Sequence, residues 1–440
     1  MSGRRLLVLI AVLAAAAVPA GVLRALCVGN ACGRTMQTQT RVPFCSLPAD
    51  LRDDLEHGFR EGRSPDVLAV SGGATLWTET GGTSRRAPWP GARGISTAVP
   101  LVLWGQGVTP GASVPDGVTL DRAAPTVAEI LGFERPFPEV RSGEAIAGVA
   151  SGAPPRLVLL VAWKGIGTAE LEGRPDDWPR LATLLSDGAG TLEAATGSLP
   201  LDPAATLTTI GTGGLPFQHG VTGTFIRNNG GDVVRAYGPG APVTVIATLA
   251  DDLEEADGRT LVGLVATDET DRGLVGGGWY PDEDPTDVAL GDAAAAPLAA
   301  EVFLSTGYGE DETPDVLGVV LDGSARRMDR WTHAIVREAR RATDDSVLVV
   351  VAGTGSYASD RLAVPATETL RGVEDAVPGE RPVLAEVVPG GVFLDQAVLT
   401  AQEVTGQVVV EALLDAEAPG GETMFADVFQ GFAVSFARYC

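Results

Sequence analysis

The chain has 440 residues, enough to bury a large core, and carries 57 acidic against 32 basic residues for a formal net charge of -25. Such a surface repels nucleic acid and anionic lipid headgroups, which excludes a nucleic-acid partner and leaves only the N-terminal segment as a route to a membrane. The acidity is spread along the chain rather than gathered in a tail, so it points to solubility.

Taken in chain order, Arg4 and Arg5 precede an apolar run over residues 6–23, and Val18-Pro19-Ala20 before Gly21 has the small-residue pattern of a cleavage site. Residues 1–27 are expected to be a signal peptide or a membrane anchor, which makes the protein extracytoplasmic, either secreted or anchored at its N-terminus. Cys27 follows Leu26 and does not fit a lipoprotein anchor. The four cysteines, Cys27, Cys32, Cys45 and Cys440, are an even set in an exported chain and contain no Cys-x-x-Cys pair, so disulfides are expected rather than zinc. Residues 28–43 are polar and aperiodic and read as a linker.

Residues 47–63 have Leu51, Leu55 and Phe59 at helical spacing. Residues 66–70 and 98–104 read as buried strands, and residues 124–132 as a short helix opened by Pro125 and closed by Gly132. After a loop at 151–156 comes a fully apolar strand at 157–162. Further strands are expected near 261–265, 316–321 and 346–351, with a helix over 329–343. Apolar strands alternating with helices imply an α/β fold with a mostly parallel central sheet covered by helices on both faces.

One segment is specific. Residues 198–221, SLPLDPAATLTTIGTGGLPFQHGV, contain a Pro/Thr-rich turn, a Thr-rich helix and the motif Thr212, Gly213, Pro216, His219, Gly220 in a T-G-x-x-P-x-x-H-G pattern. It resembles the nucleophile segment of type I phosphodiesterases and nucleotide pyrophosphatases of the alkaline phosphatase superfamily. The resemblance implies that superfamily's α/β fold with a small cap region. It also orders the remaining pieces. Arg63-Ser-Pro-Asp-Val67, Val99-Pro-Leu-Val-Leu-Trp-Gly-Gln-Gly-Val108 and residues 124–132 look like the family's closing stretch, yet here they precede its opening strand. Each occurs once, so the expectation is one circularly permuted domain over 44–440. Residues 44–150 would supply the family's C-terminal portion, and 155–440 its N-terminal portion and cap. The domain should then hold one mixed but mostly parallel sheet built from both portions of the chain, with the strands at 99–104 and 157–162 in it. Permutation also puts Cys45 and Cys440 at the ancestral seam, where they should be bonded, while Cys27 and Cys32 pair with each other or leave with the signal segment.

The family would use two zinc ions held by about six Asp and His ligands. Carried over position by position, the ligand slots are changed. The strand that should end in Asp ends in Lys164, and the Asp-His-Gly slot holds Gly353 and Thr354. Asp322 stands without a following His, and Ala87-Pro-Trp-Pro-Gly91 contains none. The nucleophile slot counts to Leu201, with Ser198, Asp202 and Thr206 nearby. His219 is expected to hold the turn, and His57 and His333 to lie on helices. No metal and no other cofactor is therefore expected, and Asp282-Glu-Asp284 lacks the spacing of a calcium loop.

Lys164 is the chain's single lysine. By composition it is an accident of an Arg-biased chain. By chemistry it is a compact buried cation in a former metal slot, with Asp322 as its expected counter-charge. Three functions remain open. The first is an exported, catalytically degenerate superfamily member that binds a protein or a small anionic ligand. The second is an active hydrolase of phosphate or sulfate esters with a reduced or metal-independent site. The third is a structural component of the envelope.

Overall fold

A computed structural model of the chain describes residues 44–71, 76–78, 87–88, 97–281, 286–358, 363–365, 372–377, 379, 381–388, 390–417, 421 and 424–440. Cys27, Cys32 and the Asp282-Glu-Asp284 cluster lie outside the described residues.

The first described elements are helix α1 (Ala49–Gly58) and strand β1 (Val67–Ser71). Strand β2 (Ala98–Gly105) and helix α2 (Ala123–Leu131) come next, then β3 (Leu157–Lys164), α3 (Pro179–Asp187), β4 (Ala189–Ala195) and α4 (Pro203–Thr212). Helix α5 (Leu249–Ala256) leads to β5 (Val262–Ala266) and a 3-10 helix, Glu269–Leu274. Beyond it lie β6 (Asp287–Leu290), α6 (Ala296–Leu304), β7 (Asp315–Asp322), α7 (Ala325–Ala342) and β8 (Val347–Gly353). The C-terminal part supplies β9 (Leu384–Val388), β10 (Gly391–Leu394), α8 (Gly406–Leu414), β11 (Phe425–Gln430) and a 3-10 helix, Gly431–Tyr439.

Seven strands form the central sheet in the order β6-β5-β7-β3-β8-β2-β4. The first five run parallel, and β2 enters antiparallel between β8 and β4. Strand β3 is buried along its whole length, which accounts for its unbroken apolar run. Its alternate residues serve two cores. Val158, Leu160 and Ala162 face the side of α2, α4 and α5, and Leu157, Leu159, Val161 and Trp163 face α3, α6 and α7. This is the expected α/β arrangement, with helices on both faces of a mostly parallel sheet. Strand β2 lies in the same sheet as β3, as expected.

The expectation of a single sheet is corrected by a second one. Four antiparallel strands, β9-β10-β1-β11, form it. The strand read at 66–70 pairs here, with Val67 opposite Val392 and Gln430. Val67 and Ala69 face one apolar cluster with α8, whereas Leu68 and Val70 face another with α1, Leu199 and Leu201. Both sheets join strands from before residue 150 with strands from after residue 155.

Boundaries differ in two helices. Helix α1 is shorter than the 47–63 expected, because Phe59 turns to extended backbone (φ -105°, ψ 132°). Helix α7 starts earlier than 329, after Ser324 in β conformation. Cys45 and Cys440 form a disulfide across 395 residues, with Cα atoms 5.2 Å apart.

Candidate functional site

Lys164 ends β3 and is buried, with 9% of its surface exposed. Its amine reaches Asp271 Oδ1 at 2.5 Å and Thr267 Oγ1 at 3.4 Å. Asp271 is fully buried on the 3-10 helix that follows β5. Its other oxygen accepts the backbone N–H groups of Thr267 and Asp268 and the hydroxyl of Thr267, at 3.0–3.1 Å. The carboxylate is thus bonded at both oxygens, as a buried charge requires.

This corrects the expected counter-charge. Asp322 stands beside Lys164 in the β7–β3 register, but it is only half-buried. The ammonium pairs instead with the carboxylate that has no access to water, where the missing solvation makes pairing most valuable. Asp271 was missed because a 3-10 helix carries no strand or helix period, and its approach to β3 is set by tertiary packing. Thr354 is where the family's slot implies, just past β8. Its hydroxyl accepts the Gly165 N–H at 3.0 Å and its own N–H donates to Trp163 O at 3.1 Å, so Thr354 stitches the ends of β8 and β3.

The Thr-rich helix α4 is buried on every side. Asp202 caps it, accepting Ala204 N–H at 2.9 Å and the N–H and hydroxyl of Thr224 at 2.8 and 3.2 Å. Burial pushes this carboxyl above its ordinary range. Thr206 donates to Asp202 O, Thr208 to Ala204 O and Thr212 to Thr208 O, so these hydroxyls are satisfied within the helix itself. Ser198 is buried in the turn. No hydrogen bond among the described residues joins Ser198, Asp202 or Thr206 to Lys164.

Leu201, rather than a hydroxyl, is what the turn presents to the strand ends. A Cβ on Gly355, which has φ +97°, would lie 3.1 Å from Leu201 Cδ1. Leu201 is buried in the cluster shared by α1 and the second sheet. Helix α1 fastens the same turn. Leu199 N donates to Asp54 O at 2.9 Å, and His57 Nδ1 donates to Gly197 O at 3.0 Å. Gly58 is obligatory at this contact, since a Cβ there would meet Leu199 O at 1.8 Å.

The motif residues at the other end of α4 are structural. His219 is fully buried. Val221 N–H donates to its Nδ1 at 3.2 Å, so the proton sits on Nε2 and is offered to Thr209 Oγ1 at 3.1 Å. Desolvation, helped by the positive charge of Arg60, pushes the His219 pKa down to about 3 and keeps the ring neutral. Pro216 opens the short helix Pro216–His219, and Gly220 closes it. Arg135 and Arg141 both donate to Thr212 O, at 2.7 and 3.1 Å, and both pair with buried Asp252. Sequence reasoning passed over this triad, because arginine in an Arg-rich chain gives no signal of its own. Of the other two histidines, His57 stacks on Phe217 at 5.9 Å and His333 lies exposed on α7.

The 3-10 helix carrying Asp271 packs against α4. A Cβ on Gly273 would meet Thr208 Oγ1 at 2.1 Å, and Thr208 Oγ1 lies 2.9 Å from Tyr237 OH. Beside it opens a cavity of about 220 Å³ lined by Tyr237, Thr244, Asp251, Arg272 and Trp279. Arg272 donates through Nε to Gly276 O at 2.9 Å, and among the described residues no carboxylate forms an ion pair with it. Among the described residues no three His, Cys, Asp or Glu side chains converge.

No protein-family model and no curated protein matches the chain. Among solved structures, the chain is similar to wild-type alkaline phosphatase PafA, with a TM-score of 0.42 and 11% identity over 64% of this chain and 85% of that one. It is also similar to murine ectonucleotide pyrophosphatase/phosphodiesterase 5, with a TM-score of 0.36 and 12% identity over 44% of this chain and 55% of that one.

Proposed function

We propose that the chain is an exported, non-catalytic member of the alkaline phosphatase superfamily, and that it works by binding a small anion. The observation that carries this reading is the Lys164–Asp271 pair. An internal ammonium held by a buried carboxylate stands at the strand end where the motif resemblance implies a metal-binding carboxylate. The pair is neutral overall, and its cation, fixed in the chain, has no open coordination position and so cannot activate water as a bound metal does. The hydroxyls near the nucleophile slot bond back into α4 or are buried, and Leu201 fills the slot itself.

The cavity beside the 3-10 helix supports the binding role. Arg272 brings to it a guanidinium whose terminal nitrogens have no hydrogen-bond partner among the described residues, and a planar fork of this kind matches phosphate and carboxylate oxygens. The Cys45–Cys440 disulfide and the apolar N-terminal run support export into an oxidising compartment.

Elemental analysis and a phosphodiesterase assay with bis(p-nitrophenyl) phosphate, with and without added zinc, test the first half. The expected outcome is no bound zinc and no turnover. Turnover abolished by a chelator, or by Thr206→Ala, overturns it. Calorimetric titration with inorganic phosphate and sulfate tests the second half. Binding lost in Arg272→Gln supports it, and no binding of either anion, or binding unchanged in that variant, overturns it.

A further inference from the structure

Helix α7 is a basic element on a strongly acidic protein. It carries Arg326, Arg327, Arg330, Arg337, Arg340 and Arg341 on a chain of net charge -25. Its apolar residues, Met328, Ile335, Val336 and Ala339, recur at helical spacing and face the sheet, which leaves the arginines outward. Between α7, α3 and the end of β2 lies a groove of about 280 Å³, near the lower bound of about 300 Å³ typical of small-molecule sites.

Trp104, Leu184 and Val336 make the apolar part of this groove, and Arg180, Arg337 and Arg340 stand around it. Arg340 lies over the Trp104 ring at 5.5 Å from its centroid, while its Nε is tied to Asp345 at 2.5 Å. Arg180 is tied to Asp329 at 3.1 Å. Arg337 has no ion-pair or hydrogen-bond partner among the described residues. With Arg180 and Arg340 tied to carboxylates outside the lining, Arg337 is the lining arginine left to meet an anion, and Asp187 is the one lining carboxylate among the described residues.

The walls are fixed to one another by internal bonds. Asp329 on α7 accepts the backbone N–H groups of Arg180 and Leu181 on α3, at 3.0 and 2.9 Å. The groove is thus preformed. It is also remote from Lys164. Trp104 pairs in register with Val349, and Val349 with Leu159, which puts it five residues back along β3, roughly 16 Å. Trp104 packs with the odd-numbered residues of β3, so it lies on the opposite face from Lys164.

We propose that this groove is a second binding site, for a small aromatic anion whose flat apolar body lies among Trp104, Leu184 and Val336 and whose acid group pairs with Arg337. A planar aromatic body suits a groove already floored by an indole, and the spare guanidinium gives the acid a charge-assisted partner. The preformed walls remove part of the ordering cost of binding.

Calorimetric titration of the full chain with 1-naphthoate, and with neutral 1-naphthalenemethanol as control, tests this. The expected result is saturable binding of naphthoate at one site per chain, weakened about tenfold or more in Arg337→Gln, in line with loss of a charged hydrogen bond. Arg337 is exposed, so the variant should melt with the wild type. Arg272→Gln should leave naphthoate affinity unchanged, which separates this site from the one beside the 3-10 helix, and naphthoate affinity lost in that variant overturns the proposal. Absence of saturable binding, equal affinity for the neutral alcohol, or undiminished affinity in Arg337→Gln overturns the proposal.

Discussion

At the scale of single residues, two buried ionisable groups govern the candidate site. Lys164 and Asp271 form an ion pair with side chains 11% and 0% exposed. Removing one partner strands a desolvated charge, whereas removing both strands none. Lys164→Met is therefore expected to cost about 3–5 kcal/mol in urea unfolding, and Lys164→Met with Asp271→Asn clearly less than the sum of the two single changes. Additive losses would show that the pair is not coupled. His219 gives a test by pH. Its folded pKa of about 3 lies below the ordinary histidine value, so its contribution to stability is fully present above about pH 6.5. As pH falls toward 3, the unfolded chain takes up a proton that the folded ring refuses, at a cost of about 1.4 kcal/mol per unit. Asp54 and Asp315, both pushed up to about 6 chiefly by burial, act with the opposite sign over about pH 4–6. The informative quantity is thus a difference. The stability gap between wild type and His219→Gln should narrow steadily from pH 6.5 to pH 4, and a constant gap would mean that the ring is not held neutral.

At the scale of elements, legibility followed the strength of the local pattern. Strand β8 is apolar throughout, and β3 and β7 are apolar apart from charged terminal residues, Lys164 in β3 and Asp315 and Asp322 in β7; they were readable because a strand buried on both faces has no polar position in its middle to blur it. Helix α4 was readable from the Thr-rich segment within 198–221, and the structure gives its ends, Asp202 as the N-cap and Gly213 in left-handed conformation as the C-cap. The second sheet was not legible as a sheet. Strand β9 carries Glu386 and is only partly buried, β10 is four residues long, and neither names its partner. Its register with β1 joins residues more than 300 positions apart, and no periodicity encodes that distance. The site divides along the same line. Lys164, Thr354 and His219 could be placed because each is tied to a strand end or a motif. Asp271, Arg135 and Asp252 could not, because packing between elements brings each to its partner. The single-sheet expectation failed for a related reason. Leu199 and Leu201 needed an apolar cover, and α1 with the second sheet supplies it.

At the scale of the whole molecule, the chain order and the disulfide bear on one question. In both sheets, strands from before residue 150 pair with strands from after residue 155, so neither segment completes a sheet alone. The bond between Cys45 and Cys440 holds the first described turn against the last residue, with Cα atoms 5.2 Å apart. These two facts suit a circular permutation, in which an ancestral chain ran through this seam and was opened between residues 150 and 155. A peptide link across the seam should then replace the disulfide. A re-cut chain that starts at residue 155, runs to 440, passes through a three-residue Gly-Ser link into residue 44 and ends at 150 is expected to fold with the circular dichroism spectrum of the original. Reduction should lower the melting temperature of the original, where the bond closes a loop of 395 residues and stabilises by about 2–5 kcal/mol. In the re-cut chain the peptide bonds already close that loop, so reduction should have little effect. If the re-cut chain fails to fold under oxidising conditions, or loses as much on reduction as the original, the seam is not where the permutation reading puts it.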